Sequence, residues 1–440
     1  MPARRLLLSA TLAAACLTTT ALPATASPGP QGVVSRGVTI PPFYDPPRTL
    51  PSADGALVRS EPLPLALSLP TLPGPLPGRA TRLMYRSTDS NGRPVAVTGA
   101  YIEPTARWRG GGPRPLVVVA PGTMGQGDQC AASMGLEHPL LLNGRTTSVG
   151  YEDLSVYRLL ARGTAVVVTD YVGLGATDRL HTYVNRVDEA HAVLDAARAA
   201  RAVPGASVTR TSRVGLYGYS QGGGATAAAA ELQRSYAPDV PLAGTYAGAP
   251  PADLTAVTAA IDGSELAGAL GWALNGFLQS DPEVRPIAQA HLNAAGKAAL
   301  ADLSTMCVGD ALQHYDHARS TRWTTDGRSL GDIVRATPAL RKLLDEQRIG
   351  SRKPAGPVRL ATGVSDDLVP HAQARQLAVD WCRKGAAVTY RPVVLPPLGS
   401  ALVNHFGPLL ADQGAAVAWL TDRLSGRPAA STCAALPAQP

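Results

Sequence analysis

The chain has 440 residues, 45% of them hydrophobic and 17% charged, enough for one large buried core or a core domain with a second layer. Its 44 glycines and 39 prolines, without long polar tracts, predict many ordered turns and exclude an intrinsically disordered chain. The formal charge of +7 comes almost wholly from arginines scattered singly, which argues against a nucleic-acid-binding stripe.

Residues 1–26 read as a secretory signal: Arg4 and Arg5, an apolar stretch over 6–17, then Ala24-Thr25-Ala26 before Ser27. The stretch is too short to anchor the chain across a bilayer, and Ala13-Ala14-Ala15 before Cys16 matches a lipoprotein box too weakly to predict lipid anchoring. A secreted protein is expected. Four cysteines then remain, Cys130, Cys307, Cys382 and Cys433, an even number bound for an oxidising compartment, and two disulfides are predicted. Three pairings are open; because Cys382 and Cys433 share the C-terminal stretch, Cys130 with Cys307 and Cys382 with Cys433 is favoured.

Residues 27–78 form a Pro-rich arm, with Pro41-Pro42-Phe43-Tyr44-Asp45-Pro46-Pro47 unable to continue a helix or a central strand. Residues 80–88 and 94–102 alternate as antiparallel strands around Asp89-Ser90-Asn91-Gly92, where Asn-Gly predicts a tight hairpin turn. Continuous apolar runs follow at 116–120, 165–169, 214–219 and 358–361, the pattern of strands covered on both faces. Helix-like stretches at 152–161, 188–203, 222–236 and 372–383 alternate with them. This pattern predicts an α/β fold with a mostly parallel central sheet and helices on both faces. Residues 253–353 break the alternation with helical runs at 266–278, 286–303 and 330–348. They are expected to be a helical cap inserted between two parts of the core, 79–252 and 354–440.

The run Gly218-Tyr219-Ser220-Gln221-Gly222 sits between a strand and the helix-like stretch at 222–236, the setting of the nucleophile elbow in the α/β-hydrolase fold. A serine hydroxyl needs a histidine to take its proton, and that histidine needs a carboxylate to orient it. The chain order in this fold is Ser, then Asp or Glu, then His. Asp366 follows the strand at 358–361 and is the expected acid, with its neighbour Asp367 as rival. His405, in an expected loop between a strand at 388–395 and a helix at 408–424, is the expected base, because His371 lies too close to Asp366 in sequence. The backbone N–H groups of Gln221 and Thr123, the latter in Pro121-Gly122-Thr123-Met124-Gly125, are the expected oxyanion donors. His314, Asp316 and His317 lack a third ligand at metal spacing, and no Gly-rich phosphate loop is found, so no cofactor or metal is predicted.

Several runs resemble the secretory lipase family related to Candida antarctica lipase A. They are Phe43-Tyr44-x-Pro46-Pro47, Pro121-Gly-Thr-Met-Gly125 with Cys130-Ala-Ala-Ser133, Thr169-Asp170-Tyr-Val-Gly-Leu-Gly175, Gly218-Tyr-Ser-Gln-Gly-Gly223 and Ala247-Gly-Ala-Pro-Pro-Ala-Asp253. The resemblance implies a helical cap over an acyl-binding tunnel, a Ser220-Asp366-His405 triad, a disulfide from Cys130 to the cap at Cys307, and activity on acylglycerols or simpler esters. The expected protein is therefore a secreted monomeric lipase or carboxylesterase acting on an ester or lipid substrate, meeting the lipid interface through its cap. An acyltransferase, a cutinase-like polyester hydrolase and a non-catalytic lipid-binding protein are the competing readings.

Overall fold

The computed structural model describes residues 32–66 and 77–438, so the expected signal segment lies outside the described residues. Two short antiparallel pairs stand apart: β1 (Val34–Ser35) with β2 (Val38–Thr39), and β7 (Leu140–Leu142) with β8 (Thr147–Val149). Nine strands share one sheet: β3 (Leu57–Leu63), β4 (Gly78–Thr88), β5 (Pro94–Pro104), β6 (Leu116–Ala120), β9 (Ala165–Val172), β10 (Val214–Tyr219), β11 (Leu242–Gly248), β12 (Val358–Gly363) and β13 (Val388–Val393). Their order is β13-β12-β11-β10-β6-β9-β5-β4-β3. Pairing is parallel from β13 to β9 and antiparallel from β9 to β3.

The apolar runs form central strands because both of their faces are buried. In β6, Leu116, Val118 and Ala120 belong to one hydrophobic cluster while Val117 and Val119 belong to another on the opposite side. The first cluster is closed by α3 (Arg186–Ala200), α4 (Gln221–Tyr236) and α12 (His371–Arg383). The second is closed by α1 (Ala132–Glu137), α2 (Asp153–Ala161) and α13 (Ala401–Leu424). Each side chain buried in this way stabilises the fold by about 1.5–3 kcal/mol.

Several expectations need correction. The 27–78 arm contributes β3, the edge strand of the main sheet, which accommodates Pro62 because an edge strand has one unpaired side. The turn between β4 and β5 is longer than a two-residue Asn-Gly turn: Asp89 N–H bonds Arg93 O, and Gly92 alone takes a positive φ of 75°. Asn91 instead donates its N–H to the Asp89 side chain.

Between β11 and β12 the chain forms seven α-helices: α5 (Leu254–Ile261), α6 (Ala269–Ser280), α7 (Val284–Ala290), α8 (Ala294–Leu303), α9 (Val308–His314), α10 (Leu330–Ala336) and α11 (Pro338–Glu346). The runs expected at 286–303 and 330–348 are each broken. Asn293 caps α8 by accepting the Gly296 N–H, and Pro338, which cannot sit in a helix interior without losing a hydrogen bond, opens α11. Cys130 is bonded to Cys307, joining the segment after β6 to the start of α9, and Cys382 is bonded to Cys433.

Candidate active site

Ser220 stands between β10 and α4 with φ 58° and ψ −124°, a strained conformation for a residue with a Cβ. The turn is held by the Ser220 N–H donating to Gly248 O at 2.9 Å and the Gly224 N–H donating to Ser220 O at 3.0 Å. The surrounding glycines are required by close approach. A Cβ on Gly222 would lie 1.9 Å from Ala120 O, and one on Gly218 would lie 2.2 Å from Gly222 O. Only a backbone without side chains allows β6, β10 and α4 to meet here.

His405 Nδ1–H donates to Asp366 Oδ2 at 2.7 Å, which leaves Nε2 to accept the Ser220 hydroxyl at 2.9 Å. All three side chains are buried. The other carboxylate oxygen of Asp366 accepts the N–H groups of Leu368 (3.0 Å) and Val369 (2.9 Å), fixing its orientation. Tyr219 donates its hydroxyl to the His405 carbonyl at 2.7 Å. The rival Asp367 turns away and accepts from Asn404 Nδ2 at 2.7 Å, while His371 opens α12 and bonds the Tyr390 hydroxyl.

The loop expected around His405 is instead the beginning of α13. Ser400 caps this helix by accepting the Val403 N–H, and Glu265, on the segment between α5 and α6, accepts both the Leu402 N–H (2.8 Å) and the Ser400 hydroxyl (2.8 Å). Two orphan donors at the helix start are thus satisfied, so the helix begins at Ala401. Pro408 lies inside it, at the cost of one backbone hydrogen bond.

Gln221 opens α4, where a backbone N–H has no helical acceptor. Its side-chain amide donates to Glu189 Oε1 at 2.8 Å and to His181 Nε2 at 2.9 Å, and His181 Nδ1–H donates to Val172 O. Burial pushes the Glu189 carboxyl up to about 8 and the His181 imidazole down to about 4. Thr123 lies on the loop after β6. Tyr171 donates to Pro121 O (2.7 Å), Glu152 accepts the Gly122 N–H (2.8 Å), and Tyr151 donates to Thr123 O (3.0 Å). The Thr123 hydroxyl pairs with that of Tyr183 at 2.7 Å. These supporting residues were not anticipated from sequence.

Ser220, Gln221 and His405 line a cavity of about 130 Å³. Its remaining walls are chiefly apolar, including Leu254, Leu270, Phe277, Ile333 and Leu343 from the helices between β11 and β12. Among the described residues no three His, Cys, Asp or Glu side chains are grouped to hold a metal.

Residues 136–432 match the model of the secretory lipase family. The chain belongs to that family. Among its relatives is a probable inactive lipase of Mycobacterium tuberculosis, 29% identical over 88% of this chain and 82% of that protein. A secreted triacylglycerol lipase of Malassezia globosa is 26% identical over 89% of this chain and 83% of its own. The fold is that of Candida antarctica lipase A, with a TM-score of 0.73 at 21% identity over 89% of this chain and 87% of that one. It is also that of the rice cell wall degrading esterase LipA of Xanthomonas oryzae (0.67, 21%, covering 83% and 97%). This member of the family has the α/β-hydrolase fold, with a nine-stranded mixed sheet.

Proposed function

We propose that the protein is a secreted carboxylic ester hydrolase that acts through a Ser220 acyl-enzyme. The observation that carries this reading is the unbroken hydrogen-bond chain from Ser220 Oγ through His405 to Asp366. His405 Nε2 takes the hydroxyl proton as Ser220 Oγ attacks the ester carbonyl, and Asp366 stabilises the imidazolium. The tetrahedral oxyanion is met by the backbone N–H groups of Gln221 and Thr123, reinforced by the N-terminal end of α4. Collapse returns the proton to the leaving alcohol; water, deprotonated by the same histidine, then releases the acid.

The apolar cavity beside Ser220 fits an acyl chain and lacks charged groups for an ionic substrate. Residues 253–353 act as the cap, supplying most of that cavity's wall. Secretion is supported by relatives named as secreted lipases and by the two disulfides. The inactivity in the name of the M. tuberculosis relative applies to that protein; here serine, histidine and aspartate are all present and in contact. The deciding test is Ser220→Ala against p-nitrophenyl butyrate: hydrolysis is expected to vanish with the fold intact, and retained turnover would rule this mechanism out.

A further inference from the structure

Four of the arginines that are scattered singly in sequence are gathered by the fold on one face. The parallel strands β10, β11, β12 and β13 all enter the sheet there, at the end opposite Ser220. Two cavities, of about 400 and 450 Å³, open at those strand starts. Arg213, which precedes β10, and Ala243 line both, so the two form one groove. Arg423 and Arg427, at and just after the end of α13, join Arg213 around the first cavity, and Arg234 of α4 joins it in the second. Among the described residues no Asp or Glu lines either cavity.

These guanidiniums lack counter-charges. Arg423 is only 7% exposed; its stem lies against Gly244 and its guanidinium over the Trp419 ring at 5.2 Å. Its Nε has no hydrogen-bond partner among the described residues, and its nearest carboxylate, Asp422 at 4.0 Å, is held by Arg427 at 2.9 Å. A buried charge left this way is costly unless an anion meets it. Arg213 donates to the Leu424 carbonyl at 3.3 Å, and the exposed Arg234 forms no hydrogen bond or ion pair among the described residues. Arg352, Lys353, Arg383 and Lys384 are exposed on the segments that bring Pro357 and Ala387 to the groove, and they add to its positive rim. Asp239, beside Arg234 in the chain, is taken up by Arg198 and Arg201.

We propose that this groove binds a linear chain of phosphate groups, one phosphate among Arg213, Arg423 and Arg427 and a further one against Arg234. Three guanidiniums around one space suit a tetrahedral phosphate, with its several acceptor oxygens, better than a planar carboxylate with two. The second cavity, sharing Arg213, asks for another anionic group along the same ligand. No aromatic side chain lines either cavity, so the bases of a nucleic acid have nothing to stack on. None of the strongly exposed large hydrophobic side chains lies on the bordering segments, so nothing there inserts into a bilayer.

The test is isothermal titration of the full chain with inorganic polyphosphate at low salt, alongside inorganic phosphate, poly-glutamate and a single-stranded oligonucleotide. Arg213→Ala combined with Arg427→Ala is expected to weaken polyphosphate binding about tenfold or more, because charge-assisted hydrogen bonds are lost. Arg427→Ala alone, at a side chain 71% exposed, keeps the test open should the double variant fold poorly. Arg234→Ala should weaken polyphosphate about threefold or more yet leave inorganic phosphate, which needs only the first cavity, within about twofold. Hydrolysis of p-nitrophenyl butyrate should stay within about twofold in every variant, since the six residues of β10 hold Arg213 about 20 Å from Ser220. No saturable binding of polyphosphate, or binding undiminished in the variants, would overturn the inference. So would poly-glutamate bound equally well, which reduces the groove to net charge, or the oligonucleotide bound more tightly, which assigns it to nucleic acid.

Discussion

Glu152 accepts the backbone N–H of Gly122 at 2.8 Å from directly behind the loop that carries Thr123. The carboxyl is buried, and burial pushes it up to about 7. With Tyr171 holding Pro121 O and Tyr151 holding Thr123 O, three consecutive residues are fixed by side chains that do not line the cavity beside Ser220. Glu152→Leu leaves the Gly122 N–H without its acceptor, which costs roughly 1–3 kcal/mol. If the loop presents an oxyanion donor, kcat for a short ester should fall far more than KM rises, because the oxyanion exists only in the transition state. Glu152→Gln, which keeps an acceptor oxygen, should recover most of the loss. Equal kcat in parent and Leu variant would remove the loop from the mechanism.

Asp366 and Asp367 are neighbours with different partners, and substitution separates them. Asp366→Asn is expected to lower kcat by roughly 10³–10⁴, since it favours the wrong imidazole tautomer. Asp367→Asn keeps a side chain that can pair with Asn404 and should leave kcat within about threefold. Steady-state kinetics on p-nitrophenyl butyrate, with circular dichroism to check folding, decide between them.

The central strands could be read from sequence because burial on both faces writes an uninterrupted apolar run. β11 was not found, although it lies between β10 and β12, because it is built of small residues. A Cβ on Gly248 would lie 2.3 Å from the Tyr219 ring, and one on Gly244 would lie 2.8 Å from Arg423. Close packing removed the hydrophobic signal. The start of α13 was expected at Pro408, whereas Ser400 and the distant Glu265 begin the helix two turns earlier. Ser220, Asp366 and His405 were recognisable from local context and chain order. Glu152, His181 and Glu189 were not, since each meets its partner only after folding.

The buried Glu189 predicts a pH-dependent stability. Its folded value of about 8 lies above the ordinary 4.5, so the folded state holds the proton more tightly. Stability from this group is therefore full below about 4.5 and declines as pH rises toward about 8. His181 acts in the opposite sense and in a lower window: its folded value of about 4 lies below 6.5, so stability is lost as pH falls between them. Thermal unfolding measured from pH 6.5 to 8 lies above the His181 window, though Glu189 shares it with Asp128, Glu152 and Asp153, each pushed up to about 7 by burial, so only the Glu189 variant separates its part. Glu189→Gln is expected to flatten the fall in Tm across that range; an unchanged slope would remove Glu189 as its source.

The two disulfides should differ in weight. Cys130–Cys307 spans 177 residues and Cys382–Cys433 spans 51, and the entropy removed from the unfolded chain grows with the logarithm of the loop. Replacing both Cys130 and Cys307 by Ser should lower the unfolding free energy by roughly 2–5 kcal/mol, and the Cys382/Cys433 pair by less. Denaturant midpoints of the two double variants measure the difference; the reverse order would show that local strain, not loop entropy, dominates.

The insertion between β11 and β12 also sets a schedule. Ser220 and its elbow come before it, whereas Asp366 and His405 come after, so the serine emerges from the ribosome long before the groups that would activate it. A nascent chain ending anywhere short of α13 carries a complete turn around an unactivated hydroxyl. The hydrogen-bond chain from Ser220 through His405 to Asp366 is therefore completed only when α13 docks against the sheet.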